Sequence, residues 1–276
     1  MDERFAFGKN WRRLHIDDQR IDEAQRGLAR LLGPDLGGLS FLDVGSGSGL
    51  MSLAALRQGA ARVVSFDLDA ESVQCTDALR RRCASDAPWQ VLRGSALDAA
   101  FLASLGTFDV VYAWGALHHT GDLWRATGLV ARNVGPRGRL ALAIYNRVRG
   151  HLGTLDSRSW HAIKRAYARG GPARRGAMLA AYVAWRSAVA LTKLEHPLSE
   201  MRERKARGMD YFVDARDWLG GFPYEYASAR EVVDFVAAHG LFPERVFEVS
   251  PDGWGCNELV FRAGDNLLHP LDGRSG

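Results

Sequence analysis

Short apolar runs alternate with longer stretches of helical periodicity along most of the chain. Ile21, Ala24, Leu28, Leu31 and Leu32 recur at helical spacing, Asp17 and Asp18 offer N-caps, and Gly33-Pro34 ends the pattern. The period then changes. Residues 39–44 form a compact apolar run that ends in Gly45-Ser46-Gly47-Ser48-Gly49, and helical spacing returns over residues 50–58. Residues 62–67 predict a second strand, Asp69 caps a helix over 70–83, and strands follow at 90–93 and 108–113. A helix over 123–133 leads through Gly135-Pro136-Arg137-Gly138 into a strand at 139–145. Late in the chain Ser228 and Glu231 form a capping box for a helix ending at His239-Gly240, and strands close the pattern at 243–249 and 258–262. Strands and helices alternating at these lengths predict an α/β fold, a doubly wound and mostly parallel sheet of seven strands with helices on both faces.

Residues 147–227 break the alternation with helical, basic sequence, which predicts a helical insertion after the fifth strand, placed beside the ligand edge as a substrate lid. The chain thus divides into an N-terminal helical cap (1–37), a sheet core (38–146), the insertion (147–227) and a C-terminal completion of the core (228–276). Residues 147–207 carry 14 Lys and Arg against four Asp and Glu. That segment is +10 while the whole chain is only +4, so the remainder is −6 and the pI near 9.1 comes from the insertion. Met178, Tyr182, Trp185 and Val189 make one stripe at helical spacing, with Leu179 and Val183 alongside. Such a stripe is a packed core face or, on a basic helix, a surface that rests on a membrane.

Composition narrows the class. At 276 residues with 47% hydrophobic and 25% charged positions, the chain is an ordinary globular protein, not a disordered one. Met1-Asp2-Glu3-Arg4 lacks the basic-then-apolar pattern of a secretory signal. The stretch 177–191 contains Arg186 and falls short of the about 20 residues that cross a bilayer. Cys75, Cys83 and Cys256 have no zinc-ligand spacing and leave one thiol odd, which fits a reducing cytoplasm.

The strand, glycine loop and helix over residues 39–58 let a backbone approach a ligand closely, with a helix N-terminus facing it. Asp67 closes the next strand where an acid can accept hydrogen bonds from both hydroxyls of a ribose. A dinucleotide fingerprint requires a third glycine where Leu50 stands. The loop reads Asp-x-Gly-x-Gly-x-Gly from Asp43 to Gly49. With Phe108-Asp109-Val110-Val111 and the Gly-Pro-Arg-Gly-Arg-Leu run before the fifth strand, it resembles the Rossmann-like S-adenosylmethionine-dependent methyltransferases. A nicotinamide oxidoreductase is the remote alternative. The resemblance implies S-adenosyl-L-methionine as cofactor, with Asp43, Gly45, Ser46, Gly47 and Gly49 at its methionine end. It places Asp67 on the ribose, Leu68 against the adenine, Ser95 and Ala96 near the adenine amino group, and Trp114 beside the sulfonium. Ser95 departs from the family's acidic residue, and Asp98 is either its substitute or a helix N-cap.

Methyl transfer needs an aimed nucleophile, exclusion of water and, for a hydroxyl, removal of a proton. His118 and His119 follow the fourth strand at the ligand edge and are candidate catalytic groups, as is Tyr145 at the end of the fifth strand. Leu117-His118-His119 is similar to the Leu-Glu-His of the ubiquinone-pathway O-methyltransferases. That group has been described as holding a metal with two glutamates and the histidine; Gly115 and His118 stand at the glutamate positions here, so no metal is carried over. Trp11, Asn146, Tyr211, Tyr224 and Tyr226 are candidate substrate contacts, and the aromatic segment 5–11 is a candidate lid over the cofactor, its phenylalanines alternatively docked on the core. The resemblance, together with the candidate base, implies an enzyme acting on a small acceptor, anionic if the basic insertion selects it: O-methylation of a phenol, carboxylate or sugar hydroxyl in secondary-metabolite, quinone or envelope chemistry. N-methylation, an RNA or protein acceptor using the basic insertion, and a non-enzymatic cofactor-binding module are the alternatives. The aromatics are not interleaved with the basic run as stacking platforms, which argues against nucleic acid.

Overall fold

The computed structural model describes residues 8–12, 16–150, 155–192, 211–250 and 253–264. Helix α1 (Gly8–Trp11) and α2 (Asp18–Leu32) precede β1 (Ser40–Val44), α3 (Leu50–Arg57), β2 (Arg62–Asp67), α4 (Ala70–Cys83) and β3 (Trp89–Arg93). Helix α5 (Ala99–Leu105), β4 (Phe108–Trp114), a 3₁₀ turn (Leu117–His119), α6 (Leu123–Ala131) and β5 (Val134–Tyr145) complete the first half. The insertion contributes α7 (Ser157–Ala168), α8 (Pro172–Thr192) and α9 (Tyr211–Gly220); α10 (Ala229–Ala237), β6 (Leu241–Phe247) and β7 (Cys256–Ala263) close the fold.

The sheet has seven strands in the order β3-β2-β1-β4-β5-β7-β6. β1 to β5 pair in parallel, and β7 runs antiparallel between β5 and β6. The doubly wound α/β architecture expected from the alternation is therefore present. Its strand order reverses between β1 and β4, and in such sheets ligands bind at the carboxyl edge beside that reversal. One face of the sheet buries Leu28 of α2, Leu53 of α3 and Leu79 of α4 against Phe41, Val63 and Tyr112. The other buries Leu102, Leu123, Val130 and Val232 from α5, α6 and α10 against Val111, Leu140 and Phe261.

Helix starts follow their caps. The carboxylates of Asp17, Asp69 and Asp98 accept from backbone N–H groups of Arg20, Glu71 and of Ala100 with Phe101, and Ser228 with Glu231 makes the reciprocal capping box. β5 begins earlier than the sequence suggests. The Gly-Pro-Arg-Gly segment joins the strand because a register shift between Phe108 and Val110 absorbs its irregular backbone, with Arg137 at φ 60°.

The insertion has a core of its own. Trp160, Tyr167, Leu219, Phe222 and Tyr224 are buried, and Met178, Leu179, Tyr182 and Trp185 of the helical stripe pack against them. That part of the stripe is partly buried against this cluster. The polar side of the insertion is partly absorbed by the fold, since Arg147 makes a bidentate pair with Glu231 at 2.7 and 2.9 Å, and Arg175 donates to the carbonyls of Tyr167 and Ala168. Among the described residues, no helix is long and apolar enough to cross a membrane.

Candidate active site

The glycine loop crosses over the end of β2, where the N–H groups of Gly45 and Ser46 both donate to the Phe66 carbonyl. Gly45 has φ +75°, and a Cβ there would lie 2.4 Å from the Ala116 methyl. Gly47 has φ +55°, and a Cβ there would lie 3.0 Å from the Trp11 indole. Glycine at both positions lets the left-handed loop pack closely against Ala116 and Trp11. Gly49 is the N-cap of α3, and the Ser46 hydroxyl pairs with Thr76 at 3.0 Å. Asp67 accepts from the N–H groups of Gly47 and Asp69, and burial raises its carboxyl above the ordinary range. Leu68, at the next position, is 41% exposed, an apolar side chain presented at the ligand edge.

Asp43 sits deeper than the sequence implied. It is buried, and its carboxylate accepts from the Ser52 hydroxyl; Ser52 pairs with Ser65 at 2.6 Å, and the Trp89 indole donates to Ser65 at 2.7 Å. Burial pushes the Asp43 carboxyl up to about 7, opposed by the Ser52 hydrogen bond and aided by the Asp67 charge. Ser52, Ser65 and Trp89 were missed by motif reasoning because they lie on three different elements. Their signal was small polar residues inside otherwise apolar runs.

Ser95 turns inward on its own loop, accepting from the Leu97 N–H, and Ala96 is buried. Asp98 is occupied as the α5 cap. Trp114 is 45% exposed at the end of β4, where its indole donates to Glu258 at 2.9 Å. Trp11 is brought to the glycine loop and not to the acceptor side. Helix α1 docks on the start of α4, with the Gly8 N–H donating to Asp69, and lays Trp11 over Gly47.

The two histidines separate in role. His118 is fully buried; its Nδ1 accepts from the Tyr145 N–H, and burial plus the charges of His119 and Lys164 hold it well below the imidazole range. Its ring stacks on Tyr145 at 3.8 Å between centroids. A group so enclosed is a support for Tyr145, which corrects the expectation that it contacts an acceptor. His119 is only partly buried, and its Nδ1 lies 2.7 Å from the Pro223 carbonyl. A carbonyl only accepts, so Nδ1 carries the proton and Nε2 the lone pair. Burial brings His119 down to about 4, against the Pro223 bond, and keeps it neutral at pH 7.

Asn146 is also corrected. Its amide donates to the carbonyls of Ser250 and Gly253 and accepts from Asn257, and its backbone bridges to Ala227. Both ends of the side-chain amide are spent on β7 and the segment that leads into it. Tyr224 is buried rather than presented to a substrate, with burial raising its hydroxyl, whereas Tyr226 is partly exposed beneath the Arg147 guanidinium. Tyr211 opens α9, and its side chain lies outside the described residues.

Lys164 was not anticipated. It is fully buried, donates to the Trp218 carbonyl, and sits 4.0 Å from the Trp218 ring centre and 4.9 Å from that of Tyr224. Burial lowers it to about 7. Among the described residues, no group of three His, Cys, Asp or Glu side chains is placed to hold a metal.

Residues 42–142 match the family model described as Methyltransferase domain. A ribosomal protein L11 methyltransferase from Pelobacter propionicus is 37% identical over 94 residues, which cover 34% of this chain and 27% of that protein. The chain therefore spans little more than a quarter of that curated relative. Magnesium protoporphyrin IX methyltransferase from Synechocystis PCC 6803, solved with bound SAH, superposes with a TM-score of 0.52 at 16% identity, over 93% of this chain and 94% of that one. An S-adenosylmethionine-dependent methyltransferase from Mesorhizobium loti gives 0.53 at 18% identity, over 88% and 99%. The structural likenesses share the fold, and the match to the family model, residues 42–142, spans the glycine loop, Asp67 and β4.

Proposed function

We propose that this protein is an S-adenosylmethionine-dependent methyltransferase acting on the oxygen of a small, anionic acceptor. The carrying observation is the cradle formed by Gly45, Gly47 and Asp67, in which added side chains would collide with Ala116 and Trp11. These residues fit an adenosyl ligand: a left-handed glycine loop at the end of β1, a carboxylate for ribose hydroxyls, and Leu68 as an exposed apolar surface for a base. S-adenosylmethionine, when bound, supplies a methyl group already activated on a sulfonium. The chain's own task is to orient the acceptor, exclude water and accept a proton. His119 suits the last, since its Nε2 lone pair is set by the Pro223 bond. A hydroxyl acceptor requires such a base, which is why oxygen is favoured over an amine that is already nucleophilic. Trp11 over the glycine loop and the insertion beside Tyr145 exclude water.

The test is thermal melting with excess S-adenosylmethionine, S-adenosylhomocysteine or NAD. Ligand at 100 times its Kd adds about 2.7 kcal/mol, which raises Tm by a few degrees. Both adenosyl ligands are expected to shift the midpoint and NAD to leave it in place. A shift with NAD alone would overturn the reading.

A further inference from the structure

The insertion gathers four tryptophans within van der Waals reach of one another. Trp160 lies 5.4 Å from Trp218 and 4.9 Å from Trp254, while Trp254 stacks on Trp218 at 5.3 Å and on Trp185 at 5.8 Å. They come from α7, α8, α9 and the approach to β7. The indole N–H groups of Trp160, Trp218 and Trp254 are all buried and make no hydrogen bond. Buried polar groups are ordinarily paired, and an indole can only donate, so three orphans in one cluster call for an acceptor. Lys164 adds to the same side of the ledger. Its ammonium uses one donor on the Trp218 carbonyl, and no carboxylate among the described residues offsets its burial. The cluster is therefore rich in donors, carries one cation, and is walled by flat rings.

It also adjoins the ligand edge of the sheet. Tyr145 at the end of β5 meets Trp218 at 5.8 Å and Tyr224 at 5.3 Å on one side, and His118 and His119 on the other. We propose that Lys164 and the indole N–H groups of Trp160, Trp218 and Trp254 form the recognition site for the oxyanion of an aromatic acceptor, an aryl carboxylate or phenolate, the hydroxyl to be methylated being a separate group of the same molecule. This deepens the methyltransferase reading and rests on it. An oxyanion supplies acceptors to the orphaned donors and neutralises the buried ammonium, and an aromatic body stacks on the indoles. An aliphatic sugar hydroxyl supplies no charge for Lys164 and no ring for the tryptophans.

The test is calorimetric titration of the full chain with benzoate and with benzamide, its neutral isostere, with and without saturating S-adenosylhomocysteine. Benzoate is expected to bind at least about tenfold more tightly than benzamide, because charge-assisted hydrogen bonds carry the difference. Lys164→Met is expected to remove most of that preference. Trp254→Phe, which keeps a ring and deletes the N–H, is expected to weaken benzoate at least about tenfold, the loss of one charge-assisted hydrogen bond, and to leave S-adenosylhomocysteine affinity unchanged. Trp254→Phe decides the matter if Lys164→Met fails to fold. Equal binding of benzoate and benzamide, no benzoate binding to protein that takes S-adenosylhomocysteine, or wild-type benzoate affinity in Trp254→Phe would each overturn this recognition site. Failure to bind S-adenosylhomocysteine while benzoate still binds would instead overturn the methyltransferase reading.

Discussion

The Nδ1 atom of His119 lies 2.7 Å from the carbonyl oxygen of Pro223, and this contact determines which ring nitrogen holds the lone pair. The Pro223 loop is itself tied down, because Glu225 accepts from the N–H groups of Gly121 and Leu123 and donates its own N–H to the His118 carbonyl. Base, loop and the start of α6 thus form one unit. His119→Asn keeps a donor for Pro223 and removes the base. Turnover is expected to fall by about 10²–10⁴ while S-adenosylhomocysteine affinity holds. Unchanged turnover would remove His119 from the mechanism.

The same burial makes the fold acid-sensitive. His119 is lowered from 6.5 to about 4, and His118 is lowered well below its ordinary value, chiefly by burial. A lowered histidine contributes stability that is fully present above pH 6.5 and is lost as pH falls toward 4. For His119 alone this is about 3 kcal/mol over that window. Urea unfolding of the wild type and of His119→Asn at pH 7.5, 5.5 and 4.5 separates its share from other titrating groups. The variant is expected to lose less stability on acidification, and parallel curves would contradict the assignment.

Gly45 and Ala116 test the cradle as a pair. Alanine at Gly45 meets both a left-handed backbone, at about 1–2 kcal/mol, and a methyl 2.4 Å away. Gly45→Ala is expected to lower Tm by on the order of 5 °C and to abolish S-adenosylhomocysteine binding. Ala116→Gly in the same chain removes the clash and leaves the backbone cost, so it is expected to restore part of both. If the second substitution restores nothing, the loop is constrained by its backbone angle and not by the collision.

The sheet was legible because each strand is a short apolar run bounded by a cap or a glycine, a signal carried by neighbours in sequence. The loop from Gly45 to Gly49 and Asp67 were legible for the same reason. The acceptor side was not. His118 and His119 are adjacent in sequence, yet one faces the interior beneath Tyr145 and the other faces Pro223, a division set by a 3₁₀ turn. Asn146 read as a ligand group at a strand end, but its partners Ser250, Gly253 and Asn257 lie more than a hundred residues away. Lys164 was hidden inside a basic run, where a single buried cation has the same letter as its solvated neighbours.

Asp43 offers a prediction whose sign runs opposite to that of the histidines. Burial raises its carboxyl from 3.8 to about 7, so the fold favours the protonated form. That contribution is fully present below pH 3.8 and is lost as pH rises through about 7, when the folded protein must ionise a group in its interior. Asp43→Asn stays neutral at every pH and still offers an oxygen to the Ser52 hydroxyl. Its stability relative to the wild type is therefore expected to increase by about 4 kcal/mol between pH 4 and pH 8, an upper figure set by the full shift. Denaturant melts of both proteins at the two pH values measure this directly. A difference that stays flat would mean that Ser52, Ser65 and Trp89 already stabilise the ionised carboxylate, and that Asp43 carries its charge in the folded protein.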